Sequence, residues 1–243
     1  MVPQTREGAA GGRREGLHPV ATICLDPGHG GEDPGAVRDG LAEKEITLQV
    51  ALAAAAALRE EHRVVLTRER DRYLTLADRR RIAAQAEADL FVSVHVNAAA
   101  RPQARGFEVL VRPQQDPASR ELALCILEAI ADRFPERRNR GVRTAALAVL
   151  RQPRPGCLVE GFFLSNPEER ALLARPQAQG ALGAAIAQGC AAFARGAEIM
   201  ARGGVPAAAG RGRRAPPAAP SPRPPGSPPG WPPSAPGGRP APG

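Results

Sequence analysis

VATICLDPGHGG, residues 20–31, is an apolar run that ends on an acid and passes straight into a glycine-rich turn carrying a histidine. A short run of this kind, bounded by turn residues, reads as a buried strand. The pattern then alternates. Residues 27–42 form a glycine-rich loop, and ITLQVALAAAAALREE at 46–61 consists of strong helix formers. RVVLTR at 63–68 is a second strand. TLAD at 75–78 is a capping-box-like start, with Asp for the usual Glu, and opens a helix through about Ala88. DLFVSVHV at 89–96 and GFEVLVR at 106–112 are strands, ASRELALCILEAIADRF is a helix, and RTAALAVLR and GCLVE are two further strand candidates. In SNPEE at 165–169, Asn166 can cap a helix, Pro167 suits its first position and the two acids favour its first turn. A last helix covers roughly 177–195. Strands alternating with helices, and central strands without polar alternation, predict an α/β fold. Its sheet is mostly parallel, has about six strands and is covered by helices on both faces.

Composition sets the boundaries. From Ala201 onward there is no acidic residue and more than half of the 26 prolines. Such a segment buries too little apolar surface to offset its ordering entropy. It predicts a disordered Pro/Arg/Gly-rich tail over 199–243, and the glycine-rich start predicts a flexible segment over 1–19. Residues 20–198 are left as one domain, long enough to bury roughly 70% of its unfolded surface. Six of the arginines behind the net charge of +8 lie in the tail, so the core is nearly balanced, which argues against a nucleic-acid-binding core. The tail itself can touch an anionic polymer or a domain that reads proline-rich peptides. No stretch approaches eighteen apolar residues, so no transmembrane helix is expected, and no signal peptide is visible at the N-terminus. Four cysteines without CxxC spacing read as buried thiols.

Two histidines stand at strand ends, His29 in DPGHGG and His95 in VSVHVNA. Carboxyl ends of neighbouring strands share one rim of an α/β sheet, so the two imidazoles can converge there. Hydrolytic zinc takes three protein ligands with water in the fourth position. The third ligand comes from LAEKE at 41–45. The helical stripe Ile46, Val50, Ala53, Ala57 extends back onto Glu43, and Leu48 and Leu52 extend likewise onto Glu45, so spacing leaves both open with a lean to Glu43. Glu160 lies in the apolar run LVEGFF, where a carboxylate is either ion-paired with an arginine or functional as a proton acceptor. His18 and His62 read as surface residues.

At these residues the chain resembles the zinc-dependent N-acetylmuramoyl-L-alanine amidases of the amidase_3 type, which trim bacterial peptidoglycan. The resemblance runs from about Ile23 to Phe193 through LDPGHGGEDPGA, the EK of LAEKE, LTRERDRYLTLADRRRIA, ADLFVSVHVNA, GFEVLV, NRGVRTAALAVLR and CLVEGFFLSNPEE, in that order. It implies a mixed sheet, one Zn2+ held by His29, Glu43 and His95, and Glu160 as the catalytic glutamate. It favours Glu43 over Glu45, because the family's ligand precedes the lysine. Asn97 and Asp26 fall in matching blocks as supporting residues that position substrate or orient a ligand. The implied substrate is peptidoglycan, which lies outside the cytoplasmic membrane, although a protein released from the cytoplasm by lysis would also reach it. Two other functions fit the same residues: a wall-binding protein on this scaffold without catalysis, and a zinc amidase or peptidase for a different amide. Phe162 departs from the family, which commonly has glycine there. It either strains a left-handed backbone or narrows one wall of the site. The segment between Arg112 and Glu121 is too short for the helical insertion that covers the zinc in some members, so an uncovered site is expected.

Overall fold

The computed structural model describes residues 21–113, 117–152 and 154–201, with side chains to Glu198. The expectations for 1–19 and for the tail fall outside these residues, except that the last helix runs on to Ala201. In chain order the elements are β1 (Thr22–Pro27), β2 (Val37–Arg38), β3 (Leu41–Ala42), α1 (Glu43–Leu58), β4 (Arg63–Leu66), α2 (Leu76–Gln85) and β5 (Leu90–Asn97). Then come β6 (Phe107–Val111), α3 (Pro117–Arg133), β7 (Asn139–Thr144), a 3-10 turn (Ala148–Leu150), β8 (Gly156–Phe163), α4 (Pro167–Leu173) and α5 (Pro176–Ala201). Six strands form one sheet in the order β4-β1-β5-β8-β6-β7, and β2 and β3 form a separate two-residue hairpin. Every neighbouring pair in the large sheet is parallel except β6 with β8.

Alternation along the strands sorts the sheet into two faces. Ile23 and Leu25 of β1, the four residues Leu90, Val92, Val94 and Val96 of β5, and Cys157 and Val159 of β8 pack with α1, α3 and α5 into the main core. Cys24, Phe91 and Leu158, from the alternate positions, form a smaller cluster with Ala83 of α2, Ala88 and the 3-10 residues Val149 and Leu150. On this second face the strands begin apolar and end polar. The same parity that carries Cys24, Phe91 and Leu158 carries Asp26, Ser93, His95 and Glu160 at the other end. One face of the sheet therefore serves as both core and site.

The caps hold as the sequence predicts. Thr75 accepts from the Asp78 amide, and Asn166 accepts from the amides of Glu168 and Glu169 with Pro167 in the first turn. Two expectations are corrected. RTAALAVLR is not a strand: β7 ends at Thr144, where its partner β6 ends at Val111, and the following apolar residues turn inward to bury Val149 and Leu150. His62 is not a surface residue. The turn after α1 folds it back, with its amide donating to Leu58 O at 2.9 Å, and the residue is buried beside a cavity lined also by Leu58, Ala187 and Ala191. The cysteines are free thiols, buried at 24, 157 and 190 and half-buried at 125.

Candidate metal centre

The loop after β1 sets the first imidazole. His29 has φ 59°, a left-handed conformation costly for a side chain with a Cβ, so something must hold it. Two buried arginines do so through backbone carbonyls. Arg79 of α2 donates to Pro27 O at 2.6 Å and to His29 O at 2.7 Å, and pairs with Asp26 Oδ1 at 2.8 Å. Arg68 donates to Pro27 O, Gly28 O and Lys44 O at 3.1, 2.7 and 2.8 Å. Burial pushes the Arg68 pKa down to about 10, which leaves it charged at neutral pH. Asp26 is fully buried, and Thr67 and Ser93 also donate to its carboxylate. Its contacts run to Arg79 and so to the loop, and it has no surface with which to meet a substrate. The loop's outer turn is tied by Lys44, whose Nζ donates to Gly31 O and to Asp71, while Asp71 accepts from the Gly31 amide.

Glu43 opens α1 and is buried, whereas Glu45 is exposed. Its Oε2 lies 3.2 Å from His29 Nε2 and its Oε1 lies 3.0 Å from His95 Nδ1. The amides of Ala36 and Val96 donate to the same two oxygens. Burial alone would raise this carboxyl, but the hydrogen bonds to the two histidines outweigh it and hold the pKa far below the usual range. His29 Nδ1 faces Asp33 Oδ2 at 2.8 Å. In the neutral ring that contact favours a proton on Nδ1 and leaves Nε2 free to bind a metal, as outer carboxylates orient metal-binding imidazoles, whereas the hydrogen bond to Glu43 belongs to the protonated ring. The rings of His29 and His95 meet edge to face with centroids 4.9 Å apart. Gly28 is required beside them, because a Cβ there would collide with the His95 ring.

One nitrogen from each histidine and one Glu43 oxygen lie within 4.8 Å of one another, and this is the one such group among the described residues. Two neutral nitrogens and one carboxylate oxygen are a donor set suited to zinc. The cluster is reachable: the side chains of His29 and His95 keep 23% and 19% of their surface.

Glu160 is the direct cross-strand partner of His95 on one side and of Glu108 on the other. Its Oε2 is buried without a hydrogen-bond partner among the described residues. Burial raises its pKa to about 7, with the neighbouring carboxylates of Glu43 and Glu108 adding to the rise against the opposing effect of His95. The alternative reading of Glu160, an ion pair with an arginine, is absent among the described residues. Arginines do approach Glu108, with Nε of Arg140 at 2.8 Å and Nε of Arg143 at 3.0 Å. Asn97 Nδ2 also donates to Glu108, at 3.0 Å. Asn97 thus reaches the rim through Glu108.

Phe162 has φ 71° and is buried, so it is strained and not part of a site wall. The residues that sequence reasoning did not single out are Arg68, Arg79, Asp33 and Glu108. For Arg68, Arg79 and Glu108 the one signal was a charged residue within a strand-like or helical run, and Asp33 lay in the glycine-rich loop without a distinguishing pattern. Glu169 was read only as a first-turn acid. It is buried and accepts from the amides of Gly106 and Phe163, both at 2.7 Å, tying the start of β6 to the end of β8.

A family model, Amidase_3, described as N-acetylmuramoyl-L-alanine amidase, matches residues 23–192. The chain is 39% identical over 158 residues to the endolysin of Bacillus phage SPP1, a match covering 62% of this chain and 58% of the relative. It is 37% identical over 155 residues to the N-acetylmuramoyl-L-alanine amidase LytC of Bacillus subtilis strain 168, covering 63% of this chain and 31% of that one. The chain thus spans less than two thirds of the length of either relative. Among solved structures, the N-acetylmuramoyl-L-alanine amidase AmiC2 of Nostoc punctiforme superposes with a TM-score of 0.69 at 33% identity, over 72% of this chain and 98% of that one. An N-acetylmuramoyl-L-alanine amidase from Clostridium difficile 630 gives 0.68 at 33% identity, over 71% and 96%. Sequence blocks and sheet order lead to one statement: this chain belongs to the Amidase_3 family of N-acetylmuramoyl-L-alanine amidases.

Proposed function

We propose that this protein hydrolyses the amide between the lactyl group of N-acetylmuramic acid and L-alanine of the peptidoglycan stem peptide, and that it depends on zinc. The observation that carries this reading is the half-buried carboxylate of Glu160, whose Oε2 is buried without a partner among the described residues, directly across the strand from His95 in a cluster of two imidazoles and one carboxylate. His29, Glu43 and His95 would hold the ion. Bound there, zinc supplies Lewis acidity, which polarises an amide carbonyl and acidifies water.

Glu160 does the proton work. It accepts a proton from the attacking water and delivers it to the amine nitrogen as the C–N bond breaks. Burial lifts its pKa from the ordinary carboxylate range toward neutrality, which suits a group that must take and then give a proton. Asp33 holds the His29 tautomer, and Arg79, anchored on Asp26, fixes the carbonyl of His29. The substrate puts the site of action outside the cytoplasmic membrane, and no helix among the described residues is long and apolar enough to cross one.

The test uses purified protein and cell-wall sacculi. Glu160→Gln is expected to retain stoichiometric zinc by metal analysis while digestion slows by about 100-fold or more, and a chelator should stop the parent. Digestion by Glu160→Gln at the parental rate overturns the assignment of Glu160. A parent that frees no new L-alanine amino termini overturns the reading as a whole.

A further inference from the structure

Two arginines on β7 stand where strand geometry alone would not put them together. Residues 140 and 143 are three apart, and in a regular strand they would point to opposite faces. Between Phe107↔Asn139 and Val109↔Val142, however, β7 spends two residues, Arg140 and Gly141, against the single residue Glu108. Gly141 takes φ 85°, which glycine adopts without penalty. This bulge shifts the alternation by one residue. Both guanidinium groups then land on the face of the sheet that carries Glu108 and Glu160.

Their anchoring leaves most of their donors unspent. Each approaches Glu108 Oε2 through Nε, at 2.8 and 3.0 Å, and Arg140 also stacks over the Phe163 ring at 4.9 Å. Among the described residues, no hydrogen bond uses an Nη nitrogen of either arginine. Glu108 is buried and its other oxygen is taken by Asn97, so one carboxylate faces two guanidinium groups and one positive charge is left over. The side chains of Arg140 and Arg143 keep 17% and 29% of their surface. Arginines held at Nε, with Nη groups that no described residue occupies, can grip a carboxylate with two parallel bonds.

The geometry points to a carboxylate-binding subsite formed by Arg140 and Arg143, which selects acidic peptides at the amide-cleaving site. β7 lies two strands from β8, about 10 Å at ordinary strand spacing. That is the reach of about three extended residues. The carboxylate recognised is thus a free acid close behind the scissile amide on its peptide side. This inference rests on the amidase reading for its substrate class, and its test is separate from that reading.

The test is equilibrium binding by calorimetry with the full-length Glu160→Gln protein loaded with zinc, which keeps the ligand uncut. The probes are a muramoyl peptide with a free side-branch carboxylate on the residue after L-alanine, and the same peptide with that group as a neutral carboxamide. The acid should bind about tenfold tighter than the carboxamide. Arg143→Gln should cut that preference to a few-fold at most, with affinity for the acid falling far more than affinity for the carboxamide, and Arg143→Lys should retain more of it. Arg140 and Asn97 still satisfy Glu108 in these variants, and an unchanged melting temperature verifies the fold. Equal binding of the two peptides to the Glu160→Gln protein overturns the subsite, as does an Arg143→Gln variant that weakens both alike. If sacculi are not digested by the parent but the preference and its loss are seen, the subsite stands and the hydrolytic reading falls.

Discussion

Phe162 combines two opposed effects in one residue. Its φ of 71° lies where a bulky L-residue costs about 1–2 kcal/mol. The strain arises because β8 sets two residues, Gly161 and Phe162, against the single residue Val96 of β5. The ring is 1% exposed and meets Phe107 and Phe134 edge to face, with centroids 6.0 and 5.0 Å away. Emptying such a site costs about 3–5 kcal/mol, so burial outweighs strain. Phe162→Gly is expected to lose about 2 kcal/mol by the difference of these two effects, read as a lower midpoint in urea unfolding. A more stable glycine variant would show that the backbone strain dominates. The departure from glycine was visible in the sequence. The choice between strain and a narrowed wall was not, because it depends on which side of the sheet the bulge faces.

At the scale of elements, α5 lies across α1 and α3 on glycines. A Cβ on Gly183 would sit 2.5 Å from Val50 O, and one on Gly189 would sit 2.7 Å from the Ile126 amide nitrogen. Both obstacles are backbone and cannot rotate away. Gly180, on the same helix, has nothing within 4 Å. Gly180→Ala should therefore stabilise the protein by about 0.5–1 kcal/mol through helix propensity alone, and Gly189→Ala should destabilise it by about 1–3 kcal/mol through overpacking. Paired thermal melts check both signs. Elements with strong local patterns, such as the poly-alanine α1 and the capped α2 and α4, were legible in the sequence. β7 was not. NRGVRT has one valine and one threonine, and it is a strand because the edge of β6 is open to it, whereas AALAVL looks like a strand and folds as a turn into the smaller core.

For the whole molecule, the meeting of His29, Glu43 and His95 depends on the strand order that sets β1 beside β5. Strand-end histidines made that convergence readable. The arginines that hold the loop were not, since a buried guanidinium and an exposed one look alike in sequence and differ only in what the fold wraps around them. Burial lowers the His29 pKa, but the bonds to Glu43 and Asp33 outweigh it and the net shift is upward from 6.5. Metal binding needs the neutral ring. As pH falls through that raised value, protons displace the ion sooner than from an ordinary imidazole. Zinc affinity, measured by competition with a chromophoric chelator, is expected to be at least about tenfold weaker at pH 6 than at pH 8. A flat profile would count against His29 as a ligand.

The reversed direction of β6 against β8 has a further consequence. All three side chains proposed to hold the ion come before Val96 in the chain, on or beside parallel strands. Glu108 and the two arginines come after it, on a strand pair that runs the other way. The residues proposed to hold the ion and those proposed to set peptide preference thus lie on different lengths of one polypeptide, with Glu160 on the later one. Drift confined to the later length, Glu160 excepted, would change the proposed peptide preference while the ion-holding end stays as it was.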